Sequence, residues 1–267
     1  MAGAKKRFLI LAKTYPTPQR DLAKLETVCT GALGEDGRLY RLYPISYRLL
    51  EHEQRYRKWE WIEAEVEKSR QDPRPESFTP RRDSIVCPGD FVNDRVERIR
   101  LLEPLLCDDL AAVQTRGPAG HTIAITRIPS FDLGWIPNDK KERHEDVIED
   151  LERALFPPDE IDQLKALHIP LNLLRVSWSD AQGKRHSHRL FEWEYYKVLW
   201  DGLQKGQSLQ QAQDAVLDAA RATRFKTDGW EVWGLFGTTL STDSWILGAT
   251  FNFPNADIQN AHQQELF

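Results

Sequence analysis

Trp245-Ile246-Leu247-Gly248-Ala249-Thr250-Phe251-Asn252-Phe253 is the stretch whose reading decides the fold class. Trp245, Leu247, Ala249, Phe251 and Phe253 recur at period two, which gives a strand one continuous apolar face. The run 230–236 (Trp-Glu-Val-Trp-Gly-Leu-Phe) is equally rich in β-formers, so the two predict a hairpin. Upstream, Ser208-Leu209-Gln210-Gln211 is a capping box, and Leu209, Ala212, Val216 and Ala219 or Ala220 form the inward stripe of the helix it opens. A helix over 192–203 precedes it. Before that, Leu171, Leu173 and the alternation Val176–Trp178 predict a strand that turns at 180–184 into a second strand over 185–191.

The earlier chain is read in the same way. Phe8-Leu9-Ile10-Leu11-Ala12 is a buried strand, and 26–33 with 38–45 form a hairpin about Gly34-Glu35-Asp36-Gly37. Residues 59–67, 85–92 and 121–128 carry β-favouring patterns, and the prolines of 72–80 mark a loop. Asn93 is placed to cap a helix on Val96, Ile99, Leu102 and Leu106, shortened by Pro104. Asp139 and Glu142 form a capping box for a helix on His144, Val147, Ile148, Leu151 and Leu155, stopped by Pro157-Pro158. Strands and helices do not alternate as βαβ units and no internal repeat is visible, so the expectation is α+β, with mixed or antiparallel sheets and several helices. The proline pair is the expected divide between two lobes, or a bend within one continuous domain. The divisions are a basic, β-rich lobe with helices over 1–156, an α+β lobe over 157–253, and a flexible tail with a terminal docking peptide over 254–267.

Composition narrows the classes. Hydrophobic residues make up 40% of the 267 and nine are tryptophan, enough for a substantial core. Cys29, Cys87 and Cys107 are odd in number and widely spaced, which argues against a disulfide framework or a thiolate zinc site and for a reducing cytoplasm. The first apolar run is too short for a signal-peptide core and no run approaches a membrane span, so no membrane partner is expected. The net charge of −5 is uneven. Residues 1–100 hold 20 basic and 16 acidic residues (+4), the remainder 16 and 25 (−9), and residues 1–58 alone hold 12 and 6 (+6).

That basic segment interleaves cations with rings: Lys13, Tyr15, Arg38, Tyr40, Arg41, Tyr43, Tyr47, Arg48, Arg55, Tyr56, Arg57 and Trp59, with Arg81 and Arg82 further on. Cations neutralise phosphates and rings stack on exposed bases, so Lys13, Arg38, Arg41, Arg48, Arg55, Arg57, Arg81 and Arg82 are the candidate nucleic-acid contacts. A second cluster is Arg185-His186-Ser187-His188-Arg189-Leu190-Phe191-Glu192-Trp193-Glu194. His186 and His188 face the same way on a strand, two carboxylates follow, and the set suits a divalent metal cofactor, with His186, His188, Glu192 and Glu194 as candidate catalytic residues. Cys29 reads as a buried thiol. Phosphate-binding glycine loops and serine elbows are absent.

The segment Gln263-Gln264-Glu265-Leu266-Phe267 resembles the docking peptide, of the form Gln-x-x-Leu-Phe, by which bacterial proteins bind the sliding clamp. Leu266 and Phe267 would be two bulky anchors for an apolar groove, and the Gln263 amide would orient them. The resemblance implies that the clamp and DNA are partners, with a role in repair, replication or defence against foreign DNA. It covers five residues and implies no reaction. Without it, the alternatives are a cytoplasmic metal-dependent enzyme acting on a small substrate, or a non-catalytic adaptor.

Overall fold

The computed structural model describes residues 4–19, 25–70, 72–110, 122–153, 169–240 and 244–263. The fold is α+β, with two mixed sheets. In the first, β1 (Ala4–Lys13) pairs antiparallel with β3 (Glu26–Gly34), and β3 pairs antiparallel with β4 (Leu39–Ile45). Next, β4 pairs parallel with β6 (Ser77–Pro80), and β6 pairs antiparallel with β5 (Glu60–Lys68). Finally β5 returns antiparallel to β1, so the ring closes as a barrel. The short β2 (Thr17–Pro18) and β7 (Val86–Phe91) are appended to β3 and β5. The alternation in β5 (Ile62, Ala64 and Val66 inward) fills the interior together with Phe8, Ile10, Val28, Ala32, Leu42 and Tyr56.

The second sheet repeats this connectivity. The segment containing β8 (Ile123–Arg127) and β9 (Ser130–Pro137) bends at Ile128-Pro129. Its first half pairs with β12 (Trp230–Thr238) and its second with β10 (Asn172–Ser179), so it joins both edges of the sheet. Around the ring, β10 pairs antiparallel with β11 (Arg185–Leu190), β11 pairs parallel with β13 (Trp245–Pro254), and β13 pairs antiparallel with β12. In each half the third and fifth barrel strands are the parallel pair and all other ring pairings are antiparallel. This is the connectivity of a five-stranded Greek-key barrel of the OB type, present twice. Helices α3 (Trp193–Gln204) and α4 (Leu209–Thr223) join the third and fourth strands of the second barrel, where the first has only 3-10 turns at Tyr47–Leu49 and His52–Gln54. Helix α2 (Lys141–Arg153) follows β9.

A helix ends each half. Chain leaving β7 forms α1 (Arg95–Leu102), and β13 runs into α5 (Asn255–Gln263), which packs against α1. Ile258 and Ala261 of α5 are buried in a core cluster with Ile99 and Leu102 of α1. The same cluster takes Leu9, Leu11, Leu33 and Trp59 from the first barrel and Trp233, Leu235, Phe251 and Phe253 from the second. The barrels therefore share one core cluster between them, while each also keeps an interior of its own. Their backbones come close at Gly31 of β3, where an added Cβ would lie 2.7 Å from Leu235 Cδ2.

Three expectations are corrected. The sheets divide between β7 and β8, so β8 and β9 belong to the second barrel and not to a lobe ending at 156, while Val147 of α2 packs against Leu25 of the first half; Pro157-Pro158 lies outside the described residues. A proline pair stops a helix locally, whereas a change of sheet leaves no such mark. Residues 255–263 are a docked helix, not a flexible tether. The N-cap of α1 is Asp94, whose carboxylate accepts from the Val96 N–H at 2.9 Å, and not Asn93.

Candidate nucleic-acid interface

Between the barrels lies a recess of about 160 Å3. Arg95 and Arg98 enter it from the first turn of α1, Arg224 and Lys226 from the end of α4 and the loop after it, and Phe251, Asn252 and Phe253 from β13. Trp59 and Trp230 complete the wall, and both stand at the start of the fourth strand of their barrel, each followed by a glutamate. Trp59 holds φ at +68°, a left-handed conformation costly for a bulky residue and tolerated where the surroundings over-determine it.

The rings position the cations. The Arg98 guanidinium carbon lies 4.6 Å from the centre of the Trp59 ring, and Lys226 Nζ lies 4.1 Å and the Arg95 guanidinium 5.7 Å from that of Trp230. Among the described residues no carboxylate pairs with Arg98, Arg224 or Lys226, and Arg95 reaches Asp257 only at 3.9 Å. Burial lowers the pKa of Arg98, and repulsion from Arg224 and Arg95 lowers it further. Arg224 closes α4, where the negative end of the helix dipole favours a cation. The Oδ1 of Asn252 is buried with no partner, while its Nδ2 donates to the Glu231 carbonyl at 3.3 Å.

Beneath the recess, Lys58 donates to Glu192 Oε1 at 2.5 Å and to the Thr250 carbonyl at 3.0 Å. Glu192 Oε2 accepts from the Thr250 N–H at 2.9 Å. This buried pair joins the first barrel to the second. Burial lowers the Lys58 pKa, opposed by Glu192 and reinforced by Arg224.

The residues expected at nucleic acid are split by the fold. Arg41 is 5% exposed and donates to Ser77 Oγ at 3.0 Å and the Thr122 carbonyl at 2.9 Å, so it ties the barrels together and is unavailable to a phosphate. Lys13 is half-buried, 4.3 Å from the Tyr47 ring centre, and donates to Tyr47 Oη at 3.1 Å; burial lowers its pKa. Arg48 pairs at 2.5 Å with the buried Glu26. Arg55 donates to the Arg48 carbonyl at 2.9 Å and Arg82 to the Leu49 carbonyl, so Arg48, Arg55 and Arg82 gather on one turn of the first barrel. Arg38, Arg57 and Arg81 are exposed; Arg81 pairs with Glu65 and Arg57 lies over Phe91.

The metal expectation fails on geometry. His186 and His188 do share a face, with ring centres 6.1 Å apart. However, His186 Nε2 is engaged by Asp180 at 2.7 Å, and His188 Nδ1 accepts from the Trp178 indole at 2.9 Å. Glu192 is committed to Lys58, and among the described residues no three His, Cys, Asp or Glu side chains form a metal-holding group. Burial, with repulsion from His186, pushes the His188 pKa down to about 4. No disulfide joins Cys29, Cys87 and Cys107, and desolvation raises the pKa of Cys29, contrary to what a nucleophile needs. Of the docking peptide, Gln263 ends α5, and 264–267, including Leu266 and Phe267, lie outside the described residues. No helix among the described residues is long and apolar enough to cross a membrane.

Arg95, Arg98, Arg224 and Lys226 escaped the sequence reading because about 130 positions separate the two pairs. The Trp-Glu pairs at Trp59-Glu60 and Trp230-Glu231 were no guide, because the same pair recurs at Trp193-Glu194. A family profile described as a domain of unknown function (DUF8758) matches residues 4–104, the first barrel with α1. No curated protein matches the chain.

Proposed function

We propose that this is a DNA-associated protein, recruited by the bacterial sliding clamp, that takes nucleic-acid phosphate in the recess between its barrels. The observation that carries this reading is the convergence of Arg95, Arg98, Arg224 and Lys226 on one recess, where among the described residues the one ion pair is Arg95 with Asp257 at 3.9 Å and Asp94 and Glu97 only partly offset Arg98. Cations left unneutralised by the fold are stabilised by an anion from outside it. Five-stranded barrels of this connectivity serve as oligonucleotide-binding scaffolds, which supports the reading by analogy. The turn bearing Arg48, Arg55 and Arg82 supplies further cations on the first barrel. The match of Gln263, Leu266 and Phe267 to the clamp peptide supports recruitment. Helix α5, which Gln263 closes, packs on the helix carrying Arg95 and Arg98, so clamp docking would raise the concentration of DNA at the recess.

Two titrations of the full chain test this. DNA affinity should fall with salt, with a logarithmic slope of about 0.7–0.9 per phosphate contact, and Arg224→Glu with Lys226→Glu should flatten the slope. Leu266→Ala with Phe267→Ala should abolish clamp binding and leave DNA affinity unchanged. DNA binding that ignores salt and the charge reversals rejects the DNA reading. Clamp binding that survives the double alanine change rejects the docking peptide.

A further inference from the structure

The shape of the recess points to a particular part of a nucleic acid. Its volume of about 160 Å3 lies below the roughly 300–1,000 Å3 of pockets that enclose a whole drug-sized ligand. The tryptophan rings are occupied by cations, with Lys226 and Arg95 over Trp230 and Arg98 over Trp59. Cations already held over these rings make charge the leading element of recognition at this site. Its cations come from both barrels and converge inward, whereas a duplex backbone is a convex rod that meets flat or grooved surfaces. A strand terminus can enter where a continuous backbone cannot.

A terminal phosphate also fits the donor set better than an internal one. A phosphomonoester carries about −1.5 to −2 charges and three terminal oxygens, against one charge and two non-bridging oxygens for a diester. Guanidinium forks bind such oxygens in pairs. The buried, unpartnered Oδ1 of Asn252 lies in the same wall, and a buried acceptor of this kind calls for a donor, which the P–OH of a singly ionised phosphomonoester provides and a diester lacks.

We propose that the recess formed by Arg95, Arg98, Arg224, Lys226 and Asn252 holds the terminal phosphate of a nucleic-acid strand. This rests on the DNA reading above and specifies its ligand. The test is fluorescence anisotropy of the full chain with oligonucleotides ending in 5′-phosphate, 3′-phosphate or hydroxyl, with a nucleoside 5′-monophosphate as competitor. At least one phosphorylated end should bind about tenfold or more tighter than the hydroxyl end, the factor expected from one or two charge-assisted hydrogen bonds. Lys226→Gln, a half-exposed change monitored by an unaltered unfolding midpoint, should bring the ratio of phosphorylated-end to hydroxyl-end affinity down towards one, beyond whatever it costs hydroxyl-end binding itself. Equal affinity for all ends overturns the terminal-phosphate inference and leaves the DNA reading standing. Displacement by the mononucleotide as effective as by the phosphorylated strand also overturns it, in favour of a small-molecule site. If no oligonucleotide binds, both readings fall.

Discussion

His188 shows how strongly one burial site acts on a single residue. Its ring is packed against Trp178 and Phe236, and its Nδ1 accepts the Trp178 indole proton, so the neutral form is the one the fold accommodates. Burial and then His186 lower its pKa from 6.5 to about 4. As pH falls through this window the unfolded chain takes up a proton before the folded one does. The contribution of His188 is therefore complete above about pH 6.5 and is lost progressively towards pH 4. Asp72 acts lower: although burial opposes it, hydrogen bonds from Arg74 and Ser77 hold its pKa near about 2, so its contribution fades only below the ordinary carboxylate range. We expect the urea midpoint of the wild type to fall between pH 6.5 and 4 more steeply than that of His188→Gln, which keeps an acceptor but does not titrate. Parallel profiles would remove His188 from the acid response. The shared facing of His186 and His188 was legible from period two, but their engagement by Asp180 and Trp178 was not. Arg41 misled in the same way, because nothing local to it announces Glu76, Ser77 and Thr122 as its buried partners.

At the scale of elements, long periodic segments were legible and short ones were not. The strands β1, β3, β4, β12 and β13 and helix α4 follow their apolar patterns closely. Helix α5 was read as a tether because only Ile258 and Ala261 turn inward, and two apolar positions make no visible stripe. The parallel pairings were hidden for a related reason: β4–β6 is recorded over two residue pairs and β11–β13 over one, too little to impose a pattern. Helix α5 is held by those two side chains, by the Arg95–Asp257 approach, and by His262, which reaches Glu103 at 2.9 Å. Placing a charge at Ile258, now 7% exposed, should release it. For Ile258→Asp we expect the opening free energy of residues 255–263 to fall by about 2 kcal/mol or more, the worth of burying one such side chain. Hydrogen exchange is the measurement, with protection lost in α5 and retained in β12 and β13. Loss spread evenly over all three would show that α5 belongs to the global unit.

The whole molecule poses a contest between size and burial. Residues 4–104, the stretch matched by the domain profile, are long enough by ordinary standards to form an independent domain. Their barrel also has its own interior, built on Phe8, Ile10, Val28, Leu42 and Ile62. The opposite face of the same strands carries Leu9, Leu11, Leu33 and Trp59, which with Val92, Ile99 and Leu102 are buried only by including the second half in the core. Polar links cross the same boundary. Arg41 binds Thr122, Arg74 donates to the Thr238 carbonyl at 2.6 Å, and Lys58 pairs with Glu192. Cutting the chain at 104 would expose the apolar face and leave buried cations without their partners, a combination far costlier than the exposure of scattered surface leucines. The duplication was illegible in sequence because the two barrels share connectivity and not side chains. Each half looks self-sufficient on a topology diagram and is not so in its packing. We therefore expect the full chain to unfold in one transition, with tryptophan fluorescence and far-ultraviolet circular dichroism coincident. A fragment of residues 1–104 should keep strand signal but bind a hydrophobic dye and lose dispersed side-chain resonances, as a loosely packed state does. A fragment that melts cooperatively and leaves the dye unbound would show that the first barrel is a complete domain and that the shared core is an interface added to it.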